Sequence, residues 1–436
     1  MDVTVQPVTT SISGSITVPG DKSVSHRALL LGAIAEGTTT IHNFLASADC
    51  LCTAHCLTAL GVSCSGLEGS APATVQGRGL YGLKEPQDIL YAGNSGTTAR
   101  LLLGLLAGLP FTATLSGDAS LRRRPMGRVT KPLAAMGAQF LGRRKNTMLP
   151  LTVRGGNLQG GVFRLPVASA QLKSALLLAG LYAQGETSIE EPAPSRDHTE
   201  RMLRHFGVSL HQHGTRTTIP VKGGRRLTAQ TVLVPGDISA AAFFLVAAAI
   251  IPGSCLTVQG VGLNPSRSGI LDVLTAMGVQ LEITNRYEES GEPRADISIE
   301  SRPLKGTLIA GSLIPRLIDE LPVLAVAACY AQGETVIKNA MELRIKESDR
   351  ITALAQELST LGADIHELPD GLVVRGRPLR GGVVNSHGDH RLAMALAVAA
   401  LGAKGPVTIT SAECVDISFP GFFSLLPGKI TLGECR

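Results

Sequence analysis

The sequence contains no tryptophan, and aromatic residues make up only 3% of its 436 residues. Proteins that bind single-stranded nucleic acid stack bases on such rings, so their scarcity argues against that class. Long hydrophobic runs are also missing, because the longest, 240–251, has twelve residues and a membrane span needs roughly 20. The first residues, 1–14, lack the basic head and apolar stretch of a signal peptide. We therefore expect a cytoplasmic protein without a membrane or nucleic-acid partner.

Charged residues are few at 17%, whereas hydrophobic residues reach 44%, which excludes a disordered chain. The eight cysteines do not follow the paired CxxC spacing of zinc sites. Cys50, Cys52 and Cys56 fall in SADCLCTAHCLTAL, which is typical of a helix, although His42 and His55 nearby leave a metal site open as the alternative. We expect free thiols in a reducing compartment and no metal.

The charge is distributed unevenly along the chain. Residues 21–235 carry 23 Lys and Arg against 12 Asp and Glu, and the remainder carries 17 against 23. The net charges are therefore +11 and −6, which favours an anionic ligand held mainly by the basic part.

A unit of roughly 70 residues recurs six times, each with an apolar helix, a glycine turn and a short β-branched strand. Its copies begin LLLGAIAEGTTTIHN, LLLGLLAGLPFTATLSG, LLLAGLYAQGETSIEE, FLVAAAIIPGSCLTVQG, LAVAACYAQGETVIKN and LAVAALGAKGPVTITSA. VPGDKS at 18–23 returns as VPGDIS at 234–239, so the six units form two sets of three. The sequence predicts an α/β protein with one lobe over 21–235 and another over 1–20 plus 236–436.

Polar residues gather where the apolar helices begin. A helix start carries open N–H groups and a positive partial charge, so several starts facing one cleft would bind anions. These residues are Ser23, Ser25 and Arg27; Asn94, Ser95, Gly96 and Thr97; Ser169 and Gln171; Asp237 and Ser239; Asp319; and Asp389, His390 and Arg391.

Some of these motifs also have a purely structural interpretation. Ser23 or Ser25 could simply cap a helix. The arginines of LRRRPMGR, 122–128, could form a solvated charge run, although Pro125 after Arg124 favours an extended loop that aims one guanidinium at a ligand.

Two further motifs combine cations with carboxylates. In RIKESDR, Lys346 and Arg350 are four residues apart and would share one face of a helix, with a surface ion-pair network as the alternative. GDHR stands at the head of the sixth apolar helix. Together with the arginines these groups predict a two-lobed enzyme for small, multiply anionic substrates.

Six ordered motifs resemble one enzyme family. DKSVSHRALLL, AGNSGTTARLL, SGDASLRRRPM, SAQLKSALLLAG, RIKESDRI and GDHRLAMALA are similar to those of the 5-enolpyruvylshikimate-3-phosphate synthases, also called 3-phosphoshikimate 1-carboxyvinyltransferases. The resemblance covers essentially the whole chain. It implies two lobes, each of three βαβαββ units around buried helices in an inside-out α/β barrel. It also implies the reaction: transfer of the enolpyruvyl group of phosphoenolpyruvate to the 5-hydroxyl of shikimate 3-phosphate, with release of phosphate, in the sixth step of chorismate biosynthesis.

The resemblance also implies no cofactor, a monomer, and a set of site residues. Those for shikimate 3-phosphate are Lys22, Ser23, Arg27, Ser169, Gln171, Arg196, Asp319 and Lys346. Those for phosphoenolpyruvate are Lys22, Asn94, Gly96, Arg124, Gln171, Arg350 and Arg391. Asp319 would take the proton of the attacking hydroxyl, and Glu347, with Lys22 as the other candidate, would exchange the methylene proton.

The chain departs from some family members at two places. Ala170 replaces a serine, and Ile417 and Ser418 stand where some members carry a lysine, so phosphate binding would depend more on the arginines. Gly96 is where a side chain would crowd glyphosate, so we expect an inhibitor-sensitive site. Two alternatives stay open: the UDP-N-acetylglucosamine enolpyruvyl transferase, whose loop cysteine is absent from SLRRRPM, and an RNA 3′-phosphate cyclase-like enzyme, whose nucleotide-accepting histidine nothing in the sequence indicates.

Overall fold

The computed structural model describes residues 1–69, 71–220, 225–428 and 430–433. The chain forms two compact units. The basic unit comprises Gly20–Val234 and Glu288–Glu292, and the acidic unit comprises Met1–Pro19, Pro235–Tyr287 and Pro293–Arg436. The short segment Glu288–Glu292 thus groups with the basic unit, whereas the sequence boundaries place it in the other lobe.

The strands are short, and most have four or five residues. In chain order they are β1 (Asp2–Val5), β2 (Ser13–Thr17), β3 (Thr38–His42), β4 (Ser63–Ser65), β5 (Ala73–Gln76), β6 (Leu90–Tyr91), β7 (Thr112–Ser116), β8 (Gln139–Gly142), β9 (Met148–Arg154), β10 (Gln159–Arg164), β11 (Gln184–Glu190), β12 (His211–His213), β13 (Arg216–Ile219), β14 (Thr231–Leu233), β15 (Cys255–Gly262), β16 (Gln280–Glu289), β17 (Glu292–Glu300), β18 (Leu308–Ile309), β19 (Glu334–Ile337), β20 (Asp364–Leu368), β21 (Gly371–Arg375), β22 (Gly382–Asn385), β23 (Val407–Thr410) and β24 (Ile430–Gly433).

The helices alternate with these strands. They are α1 (Lys22–Ile34), α2 (Ala48–Ala59), α3 (Gly96–Ala107), α4 (Gly127–Ala135), α5 (Arg143–Asn146), α6 (Ala170–Gly180), α7 (His198–His205), α8 (Ile238–Ile250), α9 (Gly269–Ala276), α10 (Ile314–Leu317), α11 (Leu321–Cys329), α12 (Arg350–Thr360), α13 (His390–Leu401) and α14 (Phe422–Leu425). Four short 3-10 helices cover Leu121–Arg123, Gly311–Leu313, Met341–Ile345 and Ala412–Ile417.

Six four-stranded sheets repeat one topology. Their orders are β14-β3-β5-β4, β6-β7-β9-β8 and β10-β11-β13-β12 in the basic unit, and β2-β15-β17-β16, β18-β19-β21-β20 and β22-β23-β1-β24 in the acidic unit. In each sheet the first two strands are parallel and the second pairs antiparallel with the third. The predicted α/β class and the sixfold repeat are confirmed. Among the described residues the sheets stay separate, and none closes into a barrel.

Strands from the chain ends and from the two crossings between the units complete three of these sheets, one in the basic unit and two in the acidic unit. β2 precedes α1 in the chain yet pairs with β15 of the acidic unit, and β14 precedes α8 yet pairs with β3 of the basic unit. β1 pairs antiparallel with β24, so the first and last strands of the described chain are neighbours in one sheet. Each unit therefore holds three complete sheets.

The repeated VPGD sequence performs the same structural task twice. The Asp21 side chain accepts a hydrogen bond from Val24 N at 2.9 Å and caps α1. The Asp237 side chain accepts one from Ser239 N at 2.8 Å and caps α8. The alternative in which Ser23 or Ser25 caps α1 is wrong, because the side chain of Asp21, which precedes them, takes the capping role.

The apolar helices form the core of each unit. α1, α3 and α6 lie in the core of the basic unit, and α8, α11 and α13 lie in the core of the acidic unit. Every residue of α8 is buried, which explains why its sequence lacks a polar face. The polar residues at the starts of these helices are therefore held on rigid elements.

Candidate active site

In the basic unit, the start of α1 presents two cations. Lys22 Nζ lies 3.1 Å from Asp49 Oδ2. Arg27 is buried one turn further along, and its Nε donates to Thr199 Oγ1 at 2.6 Å. Burial lowers the pKa of Arg27 to about 10, against the opposing effect of Glu200, so its guanidinium stays charged at neutral pH.

The other hydrogen bonds of Arg27 fix its orientation. Its Nη1 donates to Ser23 O at 2.9 Å, and its Nη2 donates to Ser174 Oγ at 2.8 Å. Ser23, an expected ligand residue, therefore lies next to the guanidinium. Ser25 differs from the other helix-start residues, because it is buried and its Oγ accepts from Leu45 N at 3.1 Å. It has a structural role.

The start of α3 lies beside Arg124. Ser95 caps the helix by accepting from Thr98 N at 3.1 Å. Arg124, which is 7% exposed, donates from Nη2 to Asn94 Oδ1 at 2.5 Å and from Nη1 to Asn94 O at 3.2 Å. Asn94 in turn donates to Asp118 Oδ2 at 2.6 Å. The arginine is thus oriented by the same turn that begins the helix.

Gly96 keeps this surface open. A Cβ at Gly96 would lie 2.8 Å from Arg100 Nη1 and 3.5 Å from Arg124 Nη1. Any larger residue would therefore intrude between two guanidinium groups.

Arg100 was not among the residues expected from the motifs. Its Nη1 donates to Gln171 Oε1 at 2.6 Å, and Gln171 Nε2 donates to Thr97 Oγ1 at 3.0 Å. Its Nη2 donates to Pro125 O at 3.4 Å, next to Arg124. Arg100 therefore connects Gln171 of α6 with the loop that carries Arg124. Its position four residues after Gly96, on the same helix face, was the signal that could have identified it.

The third helix start in this unit belongs to α6. Ser169 caps α6 by accepting from Leu172 N at 3.5 Å. Arg196 follows Ser195, whose carbonyl accepts from the buried Lys173 Nζ at 3.4 Å. Burial is the main cause of the lowered pKa of Arg27, and Arg196 lowers it in the same direction, because the two cations are close enough to repel each other.

In the acidic unit, three cations surround the carboxylate of Asp319. Its Oδ1 lies 3.3 Å from Lys346 Nζ, 3.5 Å from Arg350 Nη1 and 3.8 Å from Arg391 Nε. Arg391 Nη1 also donates to the backbone oxygen of Asp319 at 3.2 Å. These contacts fix the position of the carboxylate.

Arg350 is held by two further carboxylates. Its Nε donates to Asp389 Oδ2 at 2.7 Å, and its Nη2 donates to Glu347 Oε2 at 2.7 Å. Burial alone would lower the pKa of Arg350, but the nearby charges of Asp389 and Glu347 raise it above its ordinary value. Asp389 also caps α13 by accepting from Arg391 N at 3.0 Å, so one residue positions both arginines.

The expected helical spacing of Lys346 and Arg350 is wrong. α12 begins at Arg350, and Lys346 directly follows the 3-10 helix Met341–Ile345. The two cations meet because both approach Asp319. The chain direction changes between them, and Asp349 caps α12 by accepting from Thr352 N at 3.2 Å.

The fourth helix start, that of α8, has a structural role. Arg267 Nη2 donates to Ser239 Oγ at 2.5 Å and to Asp237 Oδ1 at 3.2 Å. Ser239 Oγ donates in turn to buried Glu320. This network satisfies buried charges within the acidic unit. Ile417 and Ser418, at the end of the last 3-10 helix, are partly buried.

The described residues contain no group of three or more His, Cys, Asp or Glu that could hold a metal ion. The seven cysteines of that part of the chain are free, and Cys435 lies outside it. A search of the same residues finds no helix of the length and apolarity that a membrane crossing requires.

Comparisons with known proteins show the family of the chain. The family model "EPSP synthase (3-phosphoshikimate 1-carboxyvinyltransferase)" matches residues 7–426. The 3-phosphoshikimate 1-carboxyvinyltransferase of Desulforamulus reducens is 53% identical, covering 98% of this chain and 99% of the relative. That of Desulforudis audaxviator is 57% identical over 94% and 95%. The solved EPSP synthase of Acinetobacter baumannii superposes with a TM-score of 0.88 at 44% identity, over 99% of this chain and all of the other. The chain therefore belongs to the EPSP synthase family.

Proposed function

We propose that this enzyme transfers the enolpyruvyl group of phosphoenolpyruvate to the 5-hydroxyl of shikimate 3-phosphate and releases phosphate. The observation that carries the proposal is the carboxylate of Asp319, which lies among Lys346, Arg350 and Arg391. A carboxylate there accepts a hydroxyl proton while the cations bind an anionic partner. Family membership supports the same reaction.

The basic unit supplies most of the groups for shikimate 3-phosphate. Ser23, Ser169 and Gln171 offer hydrogen-bond partners, and Arg27 and Arg196 offer charge to its phosphate. The other residues assigned to shikimate 3-phosphate are Lys22, Lys346 and Asp319. Where Ala170 lacks a hydroxyl, its backbone N–H near the start of α6 serves in its place.

Phosphoenolpyruvate is assigned to four cations, of which Lys22 also serves shikimate 3-phosphate. Lys22, Arg124, Arg350 and Arg391 neutralise its carboxylate and phosphate, and Gly96, Asn94 and Gln171 shape the surface around them. Arg124 and Arg391 are each less than a tenth exposed, so their charge acts in a poorly screened setting.

The reaction balances with these groups alone. Asp319 takes the proton of the 5-hydroxyl while the hydroxyl oxygen forms a bond to C2 of phosphoenolpyruvate. An acid adds a proton to the methylene carbon of phosphoenolpyruvate. The resulting tetrahedral intermediate loses phosphate, and the methyl group returns a proton to restore the double bond. Glu347 is assigned the methylene proton because Arg350 fixes its carboxylate at 2.7 Å, and Lys22 is the other candidate.

The test is release of inorganic phosphate from phosphoenolpyruvate. We expect release only when shikimate 3-phosphate is present, together with a product that carries one added enolpyruvyl group by mass. Release driven instead by UDP-N-acetylglucosamine would contradict the proposal. The accompanying proposal is a cytoplasmic monomer. Size-exclusion chromatography with light scattering tests the monomeric state, for which a mass near 45.4 kDa is expected.

Glyphosate is expected to inhibit the wild-type enzyme, and Gly96→Ala is expected to weaken that inhibition. The added methyl would lie 2.8 Å from Arg100 Nη1, and overpacking of this kind costs about 1–3 kcal/mol. We expect the inhibitory concentration to rise roughly tenfold, because about 1.4 kcal/mol corresponds to one factor of ten. The inhibitory concentration is measured by following phosphate release at increasing glyphosate.

Gly161→Ala is the matched control, because a Cβ there meets only Phe163 at 3.7 Å, an ordinary contact. It should keep wild-type inhibition. Unchanged wild-type turnover under excess glyphosate, or equal sensitivity of Gly96→Ala, would contradict this prediction.

Arg100→Met is expected to lower kcat/KM about tenfold, mainly through KM. The variant keeps an aliphatic stem but loses the bonds to Gln171 Oε1 and Pro125 O, and a hydrogen bond to a charged group contributes about 1.5–3 kcal/mol. Steady-state kinetics on both substrates measure the effect. Partial recovery in Arg100→Lys would support a positioning role, whereas equal loss of thermal stability and activity would indicate a structural one.

A further inference from the structure

One long stretch of the basic unit has no acidic side chain. Between Asp118 and Glu186 the sequence holds eleven Lys and Arg and no Asp or Glu. Arg124, Ser169 and Gln171 of the candidate site belong to this stretch. The net positive charge of the basic unit therefore comes from the same sequence stretch that holds these three residues.

Eight of these cations are exposed and lie outside the site, and six of the eight fall within residues 122–145. These six are Arg122, Arg123, Lys131, Arg143, Arg144 and Lys145, here named the basic surface. In the part of the chain that the structure describes, none of the six pairs with a carboxylate. Their charge therefore acts on the surrounding solvent instead of being neutralised locally.

The basic surface comes from three neighbouring segments of the chain, one of which continues into Arg124. Arg122 and Arg123 directly precede Arg124. Lys131 lies on α4, and this helix begins three residues after Arg124. The turn with the other three cations is tied to α4, because Met126 N donates to Thr147 O at 2.8 Å and Thr130 Oγ1 donates to Asn146 O at 2.8 Å.

The backbone of that turn is unusual. Arg144, Lys145 and Asn146 have φ angles of 48°, 56° and 64°, in the left-handed region. Glycine or asparagine adopts this conformation at lower cost, and adjacent like charges repel. Two cations thus occupy positions that local stability does not favour, while no carboxylate offsets their repulsion.

We propose that the basic surface attracts multiply anionic phosphate esters and carboxylates from solution toward Arg124. The inference rests on the proposed function, whose two substrates are both of this kind. Unpaired like charges beside a binding region raise the local concentration of oppositely charged ligands and their association rate, by about 10- to 10³-fold in strong cases. The effect reaches about one Debye length, roughly 10 Å at 0.1 M salt, and fades as salt increases.

The experiment neutralises all six cations together. The variant carries Arg122→Gln, Arg123→Gln, Lys131→Gln, Arg143→Gln, Arg144→Asn and Lys145→Asn, with asparagine chosen where the backbone is left-handed. At 20 mM NaCl we expect kcat/KM for both substrates to fall roughly tenfold while kcat stays within about twofold. At 300 mM NaCl the difference should shrink to about twofold or less, because the field is screened.

A control variant removes the same charge from exposed, carboxylate-free cations of the acidic unit. These are Arg286, Lys305, Lys338, Arg377, Arg380 and Lys404, each replaced by Gln. The control should keep the wild-type salt dependence if position matters. Equal loss in both variants, a loss confined to kcat, or wild-type kcat/KM that does not change with salt would overturn the proposal. Absence of any turnover in the wild type would instead refute the proposed function.

Discussion

Arg124→Ala is expected to lower kcat/KM by more than ~10²-fold while the protein remains folded. The guanidinium is buried and its orientation is fixed by Asn94 Oδ1, Asn94 O and Ser120 Oγ, so its charge is prepared for an anion before one binds. Removing a preorganised donor of this kind costs more than its ground-state contacts suggest, because the charge that develops during reaction is no longer stabilised. Steady-state phosphate release measures the loss.

Two variants separate charge from geometry at this position. Arg124→Lys keeps the charge but not the planar fork, and we expect it to recover only part of the activity. Arg154→Ala removes an exposed arginine from the end of β9 and should behave as wild type. Circular dichroism should show that Arg124→Ala melts cooperatively. Near-wild-type turnover in that folded variant would remove Arg124 from the site.

Much of the fold could be predicted from repetition in the sequence. An apolar helix, a glycine turn and a β-branched strand recur because each βαβαββ unit must bury its helix against its own sheet. The 216-residue interval between the two VPGD segments corresponds to two aspartates, Asp21 and Asp237, that cap equivalent helices. Local patterns of this kind are visible because the forces behind them act over few residues.

Pairings distant in sequence could not be predicted in the same way. β14 has three residues and β6 has two, so neither carries enough alternation to identify a partner. The segment Glu288–Glu292 belongs with the basic unit because Glu292 Oε1 lies 2.7 Å from His198 Nδ1 and Gly291 O accepts from Arg201. Nothing in the short sequence EESGE indicates these partners.

The same limit applies to the site. Motifs predicted Arg27 and Asp319 because polar groups at the start of a buried helix are unusual, and they predicted Arg124 because a proline follows it in a run of arginines. They did not identify Arg100, which lies within an apolar helix and is defined by its bond to Gln171 from another repeat. Asp389 was noticed as a helix-start residue, but its control of Arg350 depends on a contact 39 residues away in the chain. Such roles become visible only when the repeats are packed together.

Asp319→Asn is expected to fold, to bind both substrates and to lower kcat by about 10²–10⁴-fold, the range for loss of a general base. The amide is nearly the same size as the carboxylate, and the backbone oxygen that accepts from Arg391 Nη1 is unchanged. Three cations remain within 4 Å of the side-chain position, so anion binding should be retained or strengthened. The variant should therefore show a low kcat with an unchanged or lower KM for phosphoenolpyruvate, measured by steady-state kinetics with calorimetric affinities alongside.

The isosteric control is Asp272→Asn, which changes an exposed carboxylate paired with Arg316 and should turn over normally. Wild-type kcat in Asp319→Asn would assign the base to another group, whereas loss of binding would mean that the carboxylate chiefly orders Lys346 and Arg350.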